Sequence, residues 1–130
     1  MKTELIYLVY VTLLTGLLWV PYVLNRLVVR GISETVSFSD HPKPQPAWAQ
    51  RLQKAHANAV ENLVIFATLV LTANALGVSN GTIALAAVVY FWARVVHAVS
   101  YAFAIPWVRT LGFLTGVGAQ VTIAIQLLAH

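Results

Sequence analysis

The chain has 130 residues, of which 59% are hydrophobic and only 9% charged, against roughly 25% charged in an ordinary soluble domain. Its net charge is +4, but the cations cluster beside apolar stretches, so they read as membrane-orientation signals rather than a nucleic-acid footprint. There are no cysteines, which excludes disulfides and thiolate metal sites; any thiol chemistry must use a bound thiol.

No charge falls between Leu5 and Asn25, between Asn62 and Ala93, or from Thr110 to His130. A membrane crossing needs about 20 residues, so the middle stretch is too long for one. Gly77-Val-Ser-Asn-Gly81 divides it with turn chemistry. The result is four spans, at about 5–26, 57–76, 82–103 and 108–129. The predicted fold is an all-α, integral-membrane four-helix bundle of up-down topology, one transmembrane domain over 1–130. Nothing is left for a soluble domain.

The first span is too long for the apolar core of a signal peptide, no small-residue cleavage site follows it, and Lys2 is offset by Glu4. Pro21 lies late in it, where proline kinks a helix or marks its interfacial end. The long loop, Gly31 to Pro46, ends in the alternation Pro42, Pro44, Pro46, which is extended and stiff. Pro46-Ala47-Trp48 reads as a helix start. The second helix then runs on to Leu76, roughly 45 Å at 1.5 Å per residue, and stands above the bilayer at its beginning.

Four spans put both termini on one side. The first loop and its flanks carry Arg26, Arg30, Lys43, Arg51 and Lys54; the third holds Arg109, with Arg94 deeper; the second has no charge. The positive-inside rule therefore places loops one and three in the cytoplasm, as in a bacterial inner membrane, and both termini outside.

The most informative stretch is Arg51 to Asn62, a charged, amide-rich face that enters a span without a turn. A carboxylate at membrane depth costs about 2.5–3.5 kcal/mol on insertion scales and usually marks a site. Lys54, Asn58 and Glu61 fall at i, i+4, i+7, and Arg94, His97 and Tyr101 at i, i+3, i+7; each set is one helical stripe. Counting outward from a hairpin folded near Ser79 brings Glu61, Arg94, His97 and Tyr101 to similar depth, with Arg109 and Thr110 opening the fourth span on that side. Plainer roles compete: a Glu61–Arg94 ion pair, interhelical hydrogen bonds from His97 and Asn58, an interfacial Tyr101, and lipid-phosphate contacts for Arg26 and Arg30. His41, His56 and His130 have no metal-ligand spacing, so no metal is expected.

These residues carry a family likeness. Lys54-Ala-His-Ala-Asn58-Ala-Val-Glu61 resembles the second-helix signature R-A-x-x-N-x-x-E of the MAPEG superfamily, the membrane-associated proteins in eicosanoid and glutathione metabolism. Arg94-Val-Val-His97-Ala-Val-Ser-Tyr101 is similar to that family's third-helix R-x-x-H-x-x-x-Y. The resemblance implies a homotrimer in membrane lipid, with glutathione as co-substrate between subunits near the cytoplasmic face. Lys54, Asn58, Glu61, Arg94, His97, Tyr101 and Thr110 would be its contacts. Arg109 would stabilise its thiolate, and Arg26 matches a basic residue ending the first helix.

The implied function is a glutathione-dependent transferase or peroxidase acting on lipophilic electrophiles. The alternatives are a non-catalytic binding or scaffold protein of this fold and a small multidrug-type exporter. The chain departs from the pattern at Lys54 in place of Arg, at Ala57 where prostaglandin synthases carry another Arg, and at Phe113 where some members carry a Tyr hydroxyl.

Overall fold

The computed structural model describes residues 1–130; all its regular structure is helical, with no strand. Its helices are α1 (Thr3–Leu17), α2 (Trp19–Val36), α3 (Ala47–Leu76), α4 (Gly81–Ala102) and α5 (Pro106–Leu128). Taken together, α1 and α2 form one apolar crossing, and α3, α4 and α5 form three more. All four are long and apolar enough to span a membrane. The protein is an integral, multi-pass membrane protein.

The first crossing is interrupted at one residue. α1 and α2 meet at Leu18, three residues before Pro21. Proline has no N–H to give the carbonyl four residues back, here that of Leu17, and its ring crowds that turn. The regular helix stops at Gly31, whose φ of 76° lies in the left-handed region. The loop expected from Gly31 thus begins at that residue, with one further helical turn before the proline-rich segment.

Each remaining end has a local cause. Pro46 precedes α3 in extended conformation, and Pro106 occupies the first turn of α5, where the missing N–H has no helical partner anyway. Asn80 caps α4, its side chain accepting from the Ile83 N–H at 2.9 Å. At the end of α3, Gly77 takes φ 71°, Val78 N–H donates to the Ala73 carbonyl at 2.9 Å, and Val78 is buried. That is a Schellman stop with glycine at its left-handed position. α4 ends the same way, with Ile105 N–H donating to the Ser100 carbonyl at 2.8 Å, but alanine fills the left-handed position: Ala104 has φ 59°. A side chain there costs roughly 1–2 kcal/mol.

Side-chain contacts close the up-down order. At one end, Ser79 donates to the Glu4 carboxylate at 2.8 Å and Asn80 to the Gln126 carbonyl at 3.0 Å, joining the α3–α4 turn to both terminal helices. Glu4 is only 2% exposed, a burial that its reading as an offset to Lys2 did not anticipate. At the other end, Arg51 donates through Nε to the Ala102 carbonyl at 3.1 Å. There Gln45, also buried, donates to the Tyr22 carbonyl at 2.7 Å and to Asn25 at 2.9 Å, and the Tyr22 hydroxyl meets His56 Nδ1 at 2.7 Å. The Gln45 bonds tie the proline-rich segment to the first crossing, and the Tyr22–His56 bond ties α3 to it.

The main core holds Val11, Phe66, Val70, Ile83, Tyr90 and Ile123, with Phe66 and Tyr90 stacked at 4.0 Å. Only 27 of 130 residues are buried, while Leu13, Val64, Leu85, Trp92 and Leu111 stand exposed on the outer faces. Such a surface is compatible with lipid and not with water.

α4 and α5 pack most closely. A side-chain carbon on Gly112 would lie 3.2 Å from both the Ala93 carbonyl oxygen and the His97 backbone nitrogen. Gly112, Gly116 and Ala119 line the buried stripe of α5, the small-residue spacing that lets membrane helices touch backbone to backbone. This contact fixes the depth and facing of the α4 stripe.

Candidate functional site

α4 places Arg94 and His97 one turn apart on its buried side, with Arg94 2% and His97 3% exposed, and Tyr101 a turn further on at the bundle edge. α3 brings Asn58 to the same level. One Arg94 amino group, Nη2, donates to Asn58 Oδ1 at 2.6 Å and meets His97 Nδ1 at 3.3 Å. Guanidinium has no acceptor, so both partners must turn acceptor atoms towards it. The Asn58 amide nitrogen is thereby left for another partner. His97 must carry its remaining proton on Nε2 when neutral.

Beside this triad lies a cavity of about 270 Å³ bounded by Asn58, His97, Tyr101, Arg109, Thr110 and Phe113. The Arg109 guanidinium sits 4.9 Å above the Tyr101 ring, within cation–π range. Tyr101 and Phe113 flank the His97 ring at 5.5 and 6.3 Å between centroids. Thr110 donates its hydroxyl proton to the Pro106 carbonyl at 3.0 Å, so it offers the cavity an acceptor rather than a donor. The other polar groups free to meet a ligand can all donate: the Asn58 amide, the His97 ring N–H, the Tyr101 hydroxyl and the Arg109 guanidinium. No carboxylate lines the cavity. Its chemistry suits an anion.

The structure therefore brings together six of the sequence-selected residues: Asn58, Arg94, His97, Tyr101, Arg109 and Thr110. It corrects the expected Glu61–Arg94 pair. Glu61 is exposed, and Arg94 is bound by Asn58 and His97 instead, with its Nε unpartnered. Hairpin counting gives depth only. Glu61 sits about 60° round the helix from Asn58 at 3.6 residues per turn, which turns it off the α4-facing side. Lys54 is likewise exposed, so two of the three members of the α3 stripe stand outside the single-chain cavity, and only Asn58 lines it. Phe113, noted only as a departure, does line it.

Sequence reasoning missed the residues that hold this arrangement from behind. Gln120 donates to the Asn62 carbonyl at 3.1 Å, and Asn62 donates to the Asn58 carbonyl at 2.9 Å. The signal for Gln120 was its place as a lone amide on the small-residue stripe of α5.

The family model described as MAPEG family matches residues 6–129. The chain belongs to the MAPEG family. The match covers all four crossings and both helical motifs, so membership does not rest on either motif alone. A MAPEG chain has a role related to glutathione or eicosanoid metabolism in membranes. No curated protein sequence matches this one.

Proposed function

We propose that this MAPEG protein is a glutathione-dependent transferase or peroxidase for lipophilic electrophiles. The observation that carries the reading is the donor-rich cavity, without a carboxylate, created when Arg94 takes up the acceptor atoms of Asn58 and His97. A thiolate is the anion such a cavity would favour in this family. Free thiols have a pKa of about 8.5, so only a few per cent ionise at neutral pH. A fixed cation in a water-poor site favours the ionised form. A guanidinium is a donor with no acceptor atom, so the role of Arg109 would be to stabilise the sulfur anion rather than to take its proton. The electrophile would arrive through the bilayer and glutathione from the aqueous side.

Lys54 and Glu61 lie on an exposed stripe beside the cavity. In a homotrimer a neighbouring subunit would cover that stripe, and the two residues would grip the peptide part of glutathione across the interface. Native mass spectrometry in mild detergent, combined with titration of thiolate absorbance, tests this reading. Three chains per particle and a thiolate signal on adding glutathione are expected. A monomer that still binds glutathione would sink the shared site, and absence of any thiolate signal would sink the thiol reading.

Phe113 favours one second reading, a binding protein without turnover, because it puts an apolar ring where a hydroxyl would assist chemistry at sulfur. Tight glutathione binding with no electrophile-dependent loss of thiol would select it.

Orientation follows from the loop charges: the Gly31–Pro46 loop and the α4–α5 turn would face the cytoplasm. The chain has no cysteine, so Ser37→Cys creates a single label site. It should react with an impermeant maleimide in inverted vesicles only. Reaction in intact cells would reverse the orientation.

A further inference from the structure

A pocket of about 240 Å³ lies between the first crossing and α4 and shares no residue with the cavity at Arg109. Leu14, Leu17, Leu18 and Pro21 form one wall, at i, i+3, i+4 and i+7 on a single helical face. Val95 and Val99 of α4 stand opposite. Leu17, Pro21 and Val99 are exposed, so the pocket opens sideways into the bilayer. No side chain lining it carries a polar atom. Any hydrogen bond made inside must therefore come from the main chain.

Two carbonyls of the lining have a proline four residues on, which has no N–H to give. One is Ala102, followed by Pro106; the fold supplies the Arg51 Nε instead, which donates to it at 3.1 Å. The other is Leu17, followed by Pro21. The polar side chains nearest to it in sequence are spent elsewhere, Thr15 on the Val11 carbonyl and Tyr22 on His56. A helical carbonyl points along the axis towards the residue four on. That of Leu17 therefore lies on the face bounded by Leu17 and Pro21, within the pocket wall. An acceptor without a donor is costly in apolar surroundings, where no water replaces the missing bond.

We infer that this pocket binds a small membrane-dissolved alcohol or phenol whose hydroxyl donates to the Leu17 carbonyl. The rest of the molecule must be apolar, because the lining offers no side chain to pair a second polar group. A ketone, ether or ester of the same shape has no proton to give and leaves the carbonyl unmet. The volume is below the roughly 300–1,000 Å³ of sites for drug-sized ligands, which suits a single substituted ring. The site stands or falls separately from the glutathione reading.

The test is equilibrium dialysis of the full-length protein in maltoside micelles against the same micelles without protein, so that partition into detergent cancels. The probes are thymol and p-cymene, which differ by the hydroxyl alone, and menthol and p-menthane, the saturated pair. In at least one pair the hydroxyl compound should bind about tenfold more tightly than its hydrocarbon, the gain expected of one hydrogen bond in an apolar site. The pair with the larger gain identifies the occupant as a phenol or an alcohol. Pro21→Ala supplies the missing N–H, so the hydroxyl preference should vanish while the hydrocarbons bind as before. Val99→Trp fills the space and should abolish binding of all four, which locates the site even where Pro21→Ala unfolds early. Hydroxyl compounds that bind no better than their hydrocarbons would make the pocket an ordinary lipid-facing furrow and overturn the proposal. A preference that survives in folded Pro21→Ala would remove Leu17 as the partner, with the same result. Failure of every probe to bind would show the pocket covered in the assembled protein. Displacement of thymol by glutathione would move the bound molecule to the other cavity, and either finding sinks the site.

Discussion

Gly112→Leu should unseat α5 from α4 and cost about 3 kcal/mol, the upper end of overpacking penalties. The added side chain would begin at a carbon only 3.2 Å from the Ala93 oxygen and the His97 nitrogen. Both are backbone atoms inside a helix, so neither can rotate away; the whole of α5 must shift. Such a shift carries Arg109, Thr110 and Phe113 away from His97 and Tyr101, so ligand binding should fall together with stability. Gly112→Ala should show the same effect in smaller measure. Gly118→Ala is the control: it lies on the same helix, and its new carbon meets nothing within 4 Å. Thermal unfolding in one detergent compares the three variants with the parent. A Gly112→Leu protein that unfolds like Gly118→Ala would show that the close contact does not hold the bundle together.

What could be read from the sequence follows the physics of each feature. The spans were legible because a bilayer demands long uncharged runs, and the turn at Gly77 was legible because only glycine enters the left-handed conformation cheaply. The matching turn between spans three and four was also placed, but its left-handed residue, Ala104, was not, since alanine carries no such signal. The Arg94, His97 and Tyr101 stripe was visible as helical spacing within one element. Pairing between elements was not. Depth along a hairpin can be counted, but facing depends on how α3 rolls against α4, and that roll is set by Ala55, Ala59 and Phe66 packing inward. Hence Asn58, not Glu61, meets Arg94. Gln45 was also illegible: it sits in an irregular segment, where no periodicity marks an inward side chain, yet it fastens that segment to Tyr22 and Asn25.

Arg94 shows why an unpaired cation can persist in a bundle. An isolated charge in the membrane is costly, and no carboxylate of the chain offsets this one. Its effect is to polarise the neighbours. By drawing the Asn58 oxygen and the His97 Nδ1 lone pair towards itself, it leaves the N–H groups of these two residues for the cavity, and Arg109 adds a second full charge to that side. The two arginines would thus have different tasks: Arg94 sets which atoms of Asn58 and His97 a ligand meets, and Arg109 meets the ligand itself.

Arg109→Leu is accordingly expected to have the largest effect on activity. Arg109 is the one cation at the cavity wall, at 4.9 Å over Tyr101 and on the first turn of α5. If it stabilises a glutathione thiolate, its loss should raise the bound thiol's pKa by about one to two units. Because each unit is about a tenfold change in thiolate fraction below the pKa, conjugation at neutral pH should fall roughly 10- to 100-fold. The sign of the pH dependence is fixed by the same argument. The thiol of the variant ionises without help as hydroxide rises, so the deficit should shrink as pH climbs from about 6 to about 9. Glutathione affinity should fall less than rate, since Asn58, His97 and Tyr101 still offer donors and Lys54 and Glu61 would still hold the peptide. Loss of the Tyr101 cation–π contact predicts only a small stability change, about 0.5–1 kcal/mol for a site near the bundle edge. Thiolate absorbance and initial rates, measured side by side for the parent and Arg109→Leu across that pH range, separate chemistry from anchoring. An unchanged thiolate signal in the variant would leave Arg109 as a positive-inside anchor and remove the proposed origin of catalysis.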